Sequence, residues 1–219
     1  FSDADLIESA EACINGRILN AGQSCISAKR IIVIDAVYDD FLEILKNKLL
    51  NKKIGDPMTD VDLGPMVSQS ARDEIHEQVL ESIKKGAKLL MGGYFPEKVG
   101  SYYPLTLLSD VKPGMPAFDD ELFGPVFSII KAKNDKNAIN LANSSEFGLG
   151  ASIFTKNIKK GENIAKTKIL SGSCFVNDFV KSDPRLPFGG IKKSGYGREL
   201  ASQGMLEFVN IKTIVIKDN

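Results

Sequence analysis

Asn20-Ala-Gly-Gln-Ser-Cys-Ile-Ser-Ala-Lys-Arg-Ile-Ile-Val-Ile34 joins two kinds of local structure. Its second half, Arg30 to Ile34, is a β-branched run that reads as a short strand. Ahead of it, Ile7, Ala10, Ile14 and Ile18 recur at helical spacing behind Ser2 and Asp3, and Gly22 supplies a stop. A helix therefore ends near Asn20, and Cys25 falls just beyond it. After the strand, Val37, Phe41, Leu45 and Leu49 repeat helically, with Lys48, Lys52 and Lys53 toward the negative end of the helix. Strand followed by helix is the unit from which α/β proteins are built.

The rest of the chain repeats that alternation. Gly55 to Pro65, with two prolines and two glycines, reads as a loop before a helix that carries Ile75, Val79 and Ile83 and stops at Gly86. Strand-like runs follow at Lys88 to Met91, Val126 to Lys131, Ala151 to Phe154 and Cys174 to Asn177. Helical patterns lie between them near Lys136 to Asn143 and Ile158 to Thr167. The expected fold class is α/β, with a mainly parallel sheet covered on both faces. The tail, Glu207 to Lys217, alternates in the β manner with no hairpin partner nearby, so it is expected to pair with another part of the molecule or with another subunit.

Bulk properties exclude several function classes. Among 219 residues, 28 lysines and arginines balance 28 aspartates and glutamates, so no net field draws the chain to nucleic acid or an anionic membrane. No window is apolar for long enough to span a bilayer, and the first residues lack the order of a signal peptide. A soluble, cytoplasmic protein acting on a small molecule is expected. The chain opens at Phe1, directly before a helix, as a piece of a longer protein would. Three cysteines, Cys13, Cys25 and Cys174, and the single His76 have neither a disulfide framework nor metal-ligand spacing. A reactive thiol stays open.

The chemistry concentrates at Asn20-Ala-Gly-Gln-Ser-Cys25, where a helix stops and hands over to a cysteine flanked by small and polar residues. Backbone N–H groups can point at such a sulfur and a planar carbonyl can approach it, but a thiolate, not a thiol, is the effective nucleophile. From the residues alone, a nucleophile and a buried small hydrophobe both remain readings of Cys25. Cys13 on a helix face and Cys174 in a strand take the second reading.

Four stretches occur in order: Gly22-Gln-Ser-Cys25 with Ala28-Lys-Arg30; Gly55-Asp-Pro57 with Gly64-Pro65; Glu121-Leu-Phe-Gly-Pro125; and Pro187-Phe-Gly-Gly-Ile-Lys-Lys-Ser-Gly-Tyr-Gly-Arg-Glu199. Together they resemble the catalytic half of the NAD(P)-dependent aldehyde dehydrogenase superfamily. The resemblance implies a three-layer catalytic domain over residues 1–206 and an oligomerisation strand over residues 207–219. It implies that Cys25 adds to an aldehyde, giving a thiohemiacetal and then a thioester, with its own backbone N–H helping to hold the oxyanion. Glu121 matches a glutamate that accepts the nicotinamide-ribose hydroxyls, and Phe123 an aromatic beside the nicotinamide ring; a carboxylate can accept two hydroxyls. Without the resemblance, Asp119, Asp120 and Glu121 read as a solvated acidic face. The cofactor, NAD or NADP, would be bound mainly by an N-terminal domain preceding Phe1, which would also carry the general base and an oxyanion-hole asparagine. The chain alone is then expected to be inactive.

Val176-Asn-Asp-Phe-Val-Lys-Ser182-Asp183-Pro-Arg185-Leu-Pro187, ahead of Phe188, is most similar to bacterial succinate-semialdehyde dehydrogenases. The far carboxylate of that substrate needs a cation or several donors, which points to Ser182 and Arg185, with Phe188 as an aromatic of the substrate tunnel. Against this, Leu19 stands where some such enzymes place an arginine. A coenzyme-A-acylating dehydrogenase and a non-catalytic assembly module are the alternatives. In the family, the strand matching the tail crosses to a partner subunit, so a homo-oligomer is implied.

Overall fold

The computed structural model describes residues 1–218. Its first helix, α1 (Leu6–Ile18), starts where the Asp5 carboxylate accepts from the backbone N–H groups of Ile7 and Glu8, both at 3.1 Å. The inward stripe runs through Ala10, Ile14 and Arg17 rather than through Ile7, which is exposed. The helix then breaks earlier than its glycine: Asn20 (φ 51°), Ala21 (φ 55°) and Gly22 (φ 76°) are all left-handed. Asn20 helps hold this turn through a mutual pair, its Nδ2 donating to the Gln23 carbonyl and Gln23 Nε2 donating back to the Asn20 carbonyl.

Four strands form the main sheet: β1 (Arg30–Ile34), β2 (Lys88–Met91), β3 (Thr106–Ser109) and β4 (Val126–Ala132), in the order β1-β4-β3-β2. β4 is central and parallel to both neighbours, with Ile32 opposite Ile130 and Leu107 opposite Phe127. Residues 126–130 are buried without interruption. Successive side chains of a strand point to opposite faces, so the sheet is covered on both. Among the helices, α2 (Tyr38–Leu50) packs against α1 and β1, and α5 (Asp135–Asn143) against β1 and β4. The inner face of α2 is Phe41, Leu45 and Leu49, as its spacing predicts. α3 (Gln69–Lys84) ends before Gly86 and packs on the short α4 (Pro116–Asp119).

The α/β class holds, with two departures from one mainly parallel sheet. First, β2 runs antiparallel to β3. No helix separates them, and a parallel return needs a crossover. β3 itself, buried at all four positions, has no alternation that would mark it in the sequence. Second, the later strands form small ladders of their own. β6 (Gly150–Ile153) pairs in parallel with β7 (Ser173–Val176), across α6 (Ile158–Thr167), while β5 (Phe147–Gly148) meets β8 (Ile191–Lys192) antiparallel.

The expected tail strand is absent from the described residues. After α7 (Ala201–Leu206), residues 207–209 turn, and residues 210–218 have no regular structure. A strand exists only as part of a ladder, and among the described residues no strand pairs with the tail. Among the described residues no helix is long and apolar enough to cross a membrane, and no cluster of potential metal ligands occurs.

Candidate active site

Cys25 sits in a turn between α1 and β1 and is exposed. It opens on a cavity of about 440 Å³ whose walls include Cys13, Phe118, Glu121, Phe179 and Val180. A second cavity of about 490 Å³ is bordered by Asn20, Gln23, Val67, Glu74, Glu121 and Phe123. Glu121 borders both.

Two cations join the Cys25 loop, residues 20–29, to the loop of residues 121–126. Arg17 is fully buried, and its guanidinium donates to Val126 O (2.7 Å), Leu122 O (2.6 Å), Gly22 O (3.3 Å) and Gly124 O. One side chain thus ties the left-handed turn before Cys25 to residues 122–126. Burial pulls its pKa down to about 9, with Glu121 acting in the opposite direction, so it stays charged at neutral pH. The two loops meet closely: a Cβ on Gly22 would lie 2.3 Å from the Gly124 carbonyl oxygen. Only glycine fits there. Gln23 adds a third tie, its Oε1 accepting from Val67 N at 2.9 Å.

Lys29 is the second cation. Its Nζ donates to Ser24 O (2.8 Å) and Cys25 O (3.0 Å), and pairs with Glu121 Oε1 at 2.8 Å. It also stands 5.6 Å from the Phe123 ring centroid. Desolvation lowers its pKa, opposed chiefly by Glu121. Downstream, Arg30 donates to Leu141 O and Ala142 O, both at 2.8 Å, and so fixes the far end of the loop to α5.

The structure brings Cys25, Glu121 and Phe123 together, and does not bring Ser182, Arg185 or Phe188 to either cavity. Ser182 is exposed. Arg185 reaches Asp183 twice, Nε to Oδ1 at 3.0 Å and Nη2 to Oδ2 at 2.6 Å, which holds the Asp183 pKa down at about 2. Phe188 exchanges backbone hydrogen bonds with Glu199 at 2.8 and 2.7 Å. From the same run, Phe179 and Val180 line the Cys25 cavity instead. Phe179 packs on Gly16, where a Cβ would lie 2.8 Å from the Phe179 Cβ.

Arg17, Lys29 and Phe179 were not singled out from the sequence. Arg17 continues the Ala10, Ile14 stripe at helical spacing, but a charged residue there reads as a boundary. Lys29 lies inside a recognised motif and still looks like a surface lysine. The other two thiols differ from Cys25 in setting: burial pushes Cys13 up to about 12 and Cys174 up to about 11.

Comparison with known proteins covers nearly all of this chain. The aldehyde dehydrogenase family profile matches residues 1–214. The chain is 44% identical to the succinate semialdehyde dehydrogenase [NAD(P)+] Sad of Escherichia coli (strain K12), covering 98% of this chain and 46% of that protein. It is 41% identical to the succinate-semialdehyde dehydrogenase [NADP(+)] of Mycobacterium leprae (strain TN), covering 97% and 47%. Among solved structures, it superposes on the succinic semialdehyde dehydrogenase of Streptococcus pyogenes, determined in complex with NADP+, with TM-score 0.95, at 38% identity over 100% of this chain and 48% of that one. The chain spans about half the length of the curated relatives it matches.

Proposed function

The chain belongs to the aldehyde dehydrogenase family, and on that premise we propose that it carries the nucleophile side of an aldehyde-oxidising site, with Cys25 as the nucleophile. The observation that carries this reading is the exposed Cys25 at the mouth of a cavity, in a loop tied by Lys29 to Glu121 and Phe123. The thiolate of Cys25 adds to the aldehyde carbon, and the carbonyl π electrons move to oxygen. The backbone N–H of Cys25 donates to that oxyanion. Loss of hydride from the same carbon leaves a thioester on Cys25, and water releases the acid and restores the thiol.

Glu121 and Phe123 would hold NAD or NADP, which when bound would supply the acceptor for that hydride. The residues present suit such a group: Glu121 offers an oxygen not taken by Lys29, and Phe123 presents a half-exposed ring at the second cavity. A carboxylate there accepts ribose hydroxyls, and an aromatic face borders a flat ring.

For the substrate we propose succinate semialdehyde, supported by the names of the relatives. Its far carboxylate is assigned to the loop of Ser182, Arg185 and Phe188, which lines neither cavity itself but directly follows Phe179 and Val180 in the wall of the Cys25 cavity. Arg185 would exchange the Asp183 carboxylate for that of the substrate, like for like. The relatives' names favour neither the acylating enzyme nor the assembly module. Residues 207–219 are assigned to contact with a second copy, on the strength of their exposed apolar side chains.

The test is Cys25→Ala in the complete protein. Aldehyde oxidation should fall to background while the unfolding midpoint stays within a few degrees; turnover well above background would remove the reading.

A further inference from the structure

We propose that Lys29 is a positioning residue that couples Glu121 to the Cys25 loop, so that a ligand taken up by Glu121 changes the reactivity of the thiol. The inference rests on the assignment of Cys25 and Glu121 above, and deepens it.

A lysine ammonium has three N–H donors and no acceptor. All three of Lys29 have a partner: two are the carbonyls of Ser24 and Cys25, on the nucleophile's own backbone, and the third is Glu121. Its side chain is only 14% exposed, so water screens these bonds little. This separates it from the solvent-facing ion pairs of the chain, such as Lys53–Asp60, which contribute little. Glu121 pairs directly with Lys29, and its charge also acts on the buried Arg17. Arg17 is already committed to four carbonyls, so Glu121 balances a shared positive charge rather than one partner.

Glu121 is 41% exposed on the cavity side and keeps an oxygen free of Lys29. A hydroxyl donating to this carboxylate withdraws negative charge from Lys29. The ammonium then leans more on the carbonyls of Ser24 and Cys25, which set the path of the backbone through the nucleophile. Coupling of this kind is reciprocal: whatever the ligand does to the loop, the loop does to the ligand's affinity. A strut that only filled space would show no such link, since the stem of a methionine would fill the same volume.

The experiment uses the complete protein with Lys29→Met, Lys29→Arg, Glu121→Gln and the Lys29→Met/Glu121→Gln double variant. The rate of Cys25 alkylation by iodoacetamide is measured with and without saturating NAD(P)+, alongside KM for cofactor and for aldehyde. The unmodified protein should show a cofactor-dependent alkylation rate, and Lys29→Met should abolish that dependence. Cofactor KM should rise about tenfold, inside the ordinary range of coupling between sites, while aldehyde KM moves little. Lys29→Arg should restore part of the dependence, and the double variant should be no worse than Glu121→Gln alone. If Lys29→Met does not fold, Lys29→Gln carries the same test.

The proposal is overturned if alkylation is indifferent to cofactor in the unmodified protein, or if the dependence survives in the neutral variant. It is also overturned if both KM values rise together with a drop in melting temperature, which marks a strut. These outcomes leave the role of Cys25 untouched, whereas an active Cys25→Ala enzyme removes the parent reading first.

Discussion

The loop of residues 20–29 and the tail of residues 207–218 are both largely irregular, yet they are held in opposite ways. In the loop, two non-glycine residues, Asn20 and Ala21, take left-handed backbone angles at a cost of roughly 1–2 kcal/mol each. That conformation persists because Arg17, Gln23 and Lys29 fasten the segment to residues 121–126 and to Val67. The tail is fastened only at its start, where the Glu207 carboxylate accepts from the Arg198 N–H at 3.2 Å and two turn bonds reach Met205 and Leu206. Past Val209 no hydrogen bond or ion pair holds it among the described residues, and its apolar side chains face outward, Phe208 at 90% exposure and Ile211 and Val215 at 86%. Irregular backbone is kept rigid by polar groups that have nowhere else to go. Apolar side chains left outside do not fix a conformation; they present a surface.

The largest effect that sharpens this contrast belongs to Arg17. Arg17→Met keeps much of the stem and removes the guanidinium, leaving the carbonyls of Gly22, Leu122, Gly124 and Val126 without their donor. The loss should be about 3–5 kcal/mol in urea unfolding, with Cys25 alkylation slowed in the protein that still folds. A loss below about 1 kcal/mol would mean that the loop holds itself.

At the other end of the scale, deleting the chain after Leu206 should change stability by less than about 1 kcal/mol, since the removed side chains bury little. The mass by light scattering should fall to that of a smaller assembly. An unchanged mass would count against the tail as a contact between copies.

Legibility in the sequence follows the same division. Periodicity found α1, α2, α3, α5 and α6, and β-branched runs found β1 and β4, because apolar side chains at fixed spacing follow from one-sided burial. β3 was missed: Thr106-Leu-Leu-Ser109 is a four-residue strand buried throughout, with no alternation to mark it. Ile7 was placed inward on spacing alone, and the helix instead turned Arg17 to the core. Such a choice depends on four carbonyls from residues far along the chain or beyond the helix end, which no local pattern contains. Cys25 was legible through its motif, and the proximity of Lys29 to Glu121 was not, because 92 positions separate them in sequence.

The claim that Cys25 is the nucleophile can be tested without cofactor, by offering the protein an activated acetyl ester at about pH 8 and locating the acetyl group by peptide mass spectrometry. Burial pushes the Cys13 thiol up to about 12 and the Cys174 thiol up to about 11, so both stay protonated at that pH and should stay unmodified. A hydroxylamine-labile acetyl thioester on Cys25 alone is the expected result. An unmodified Cys25, or acetyl groups spread evenly over the three thiols, would contradict it.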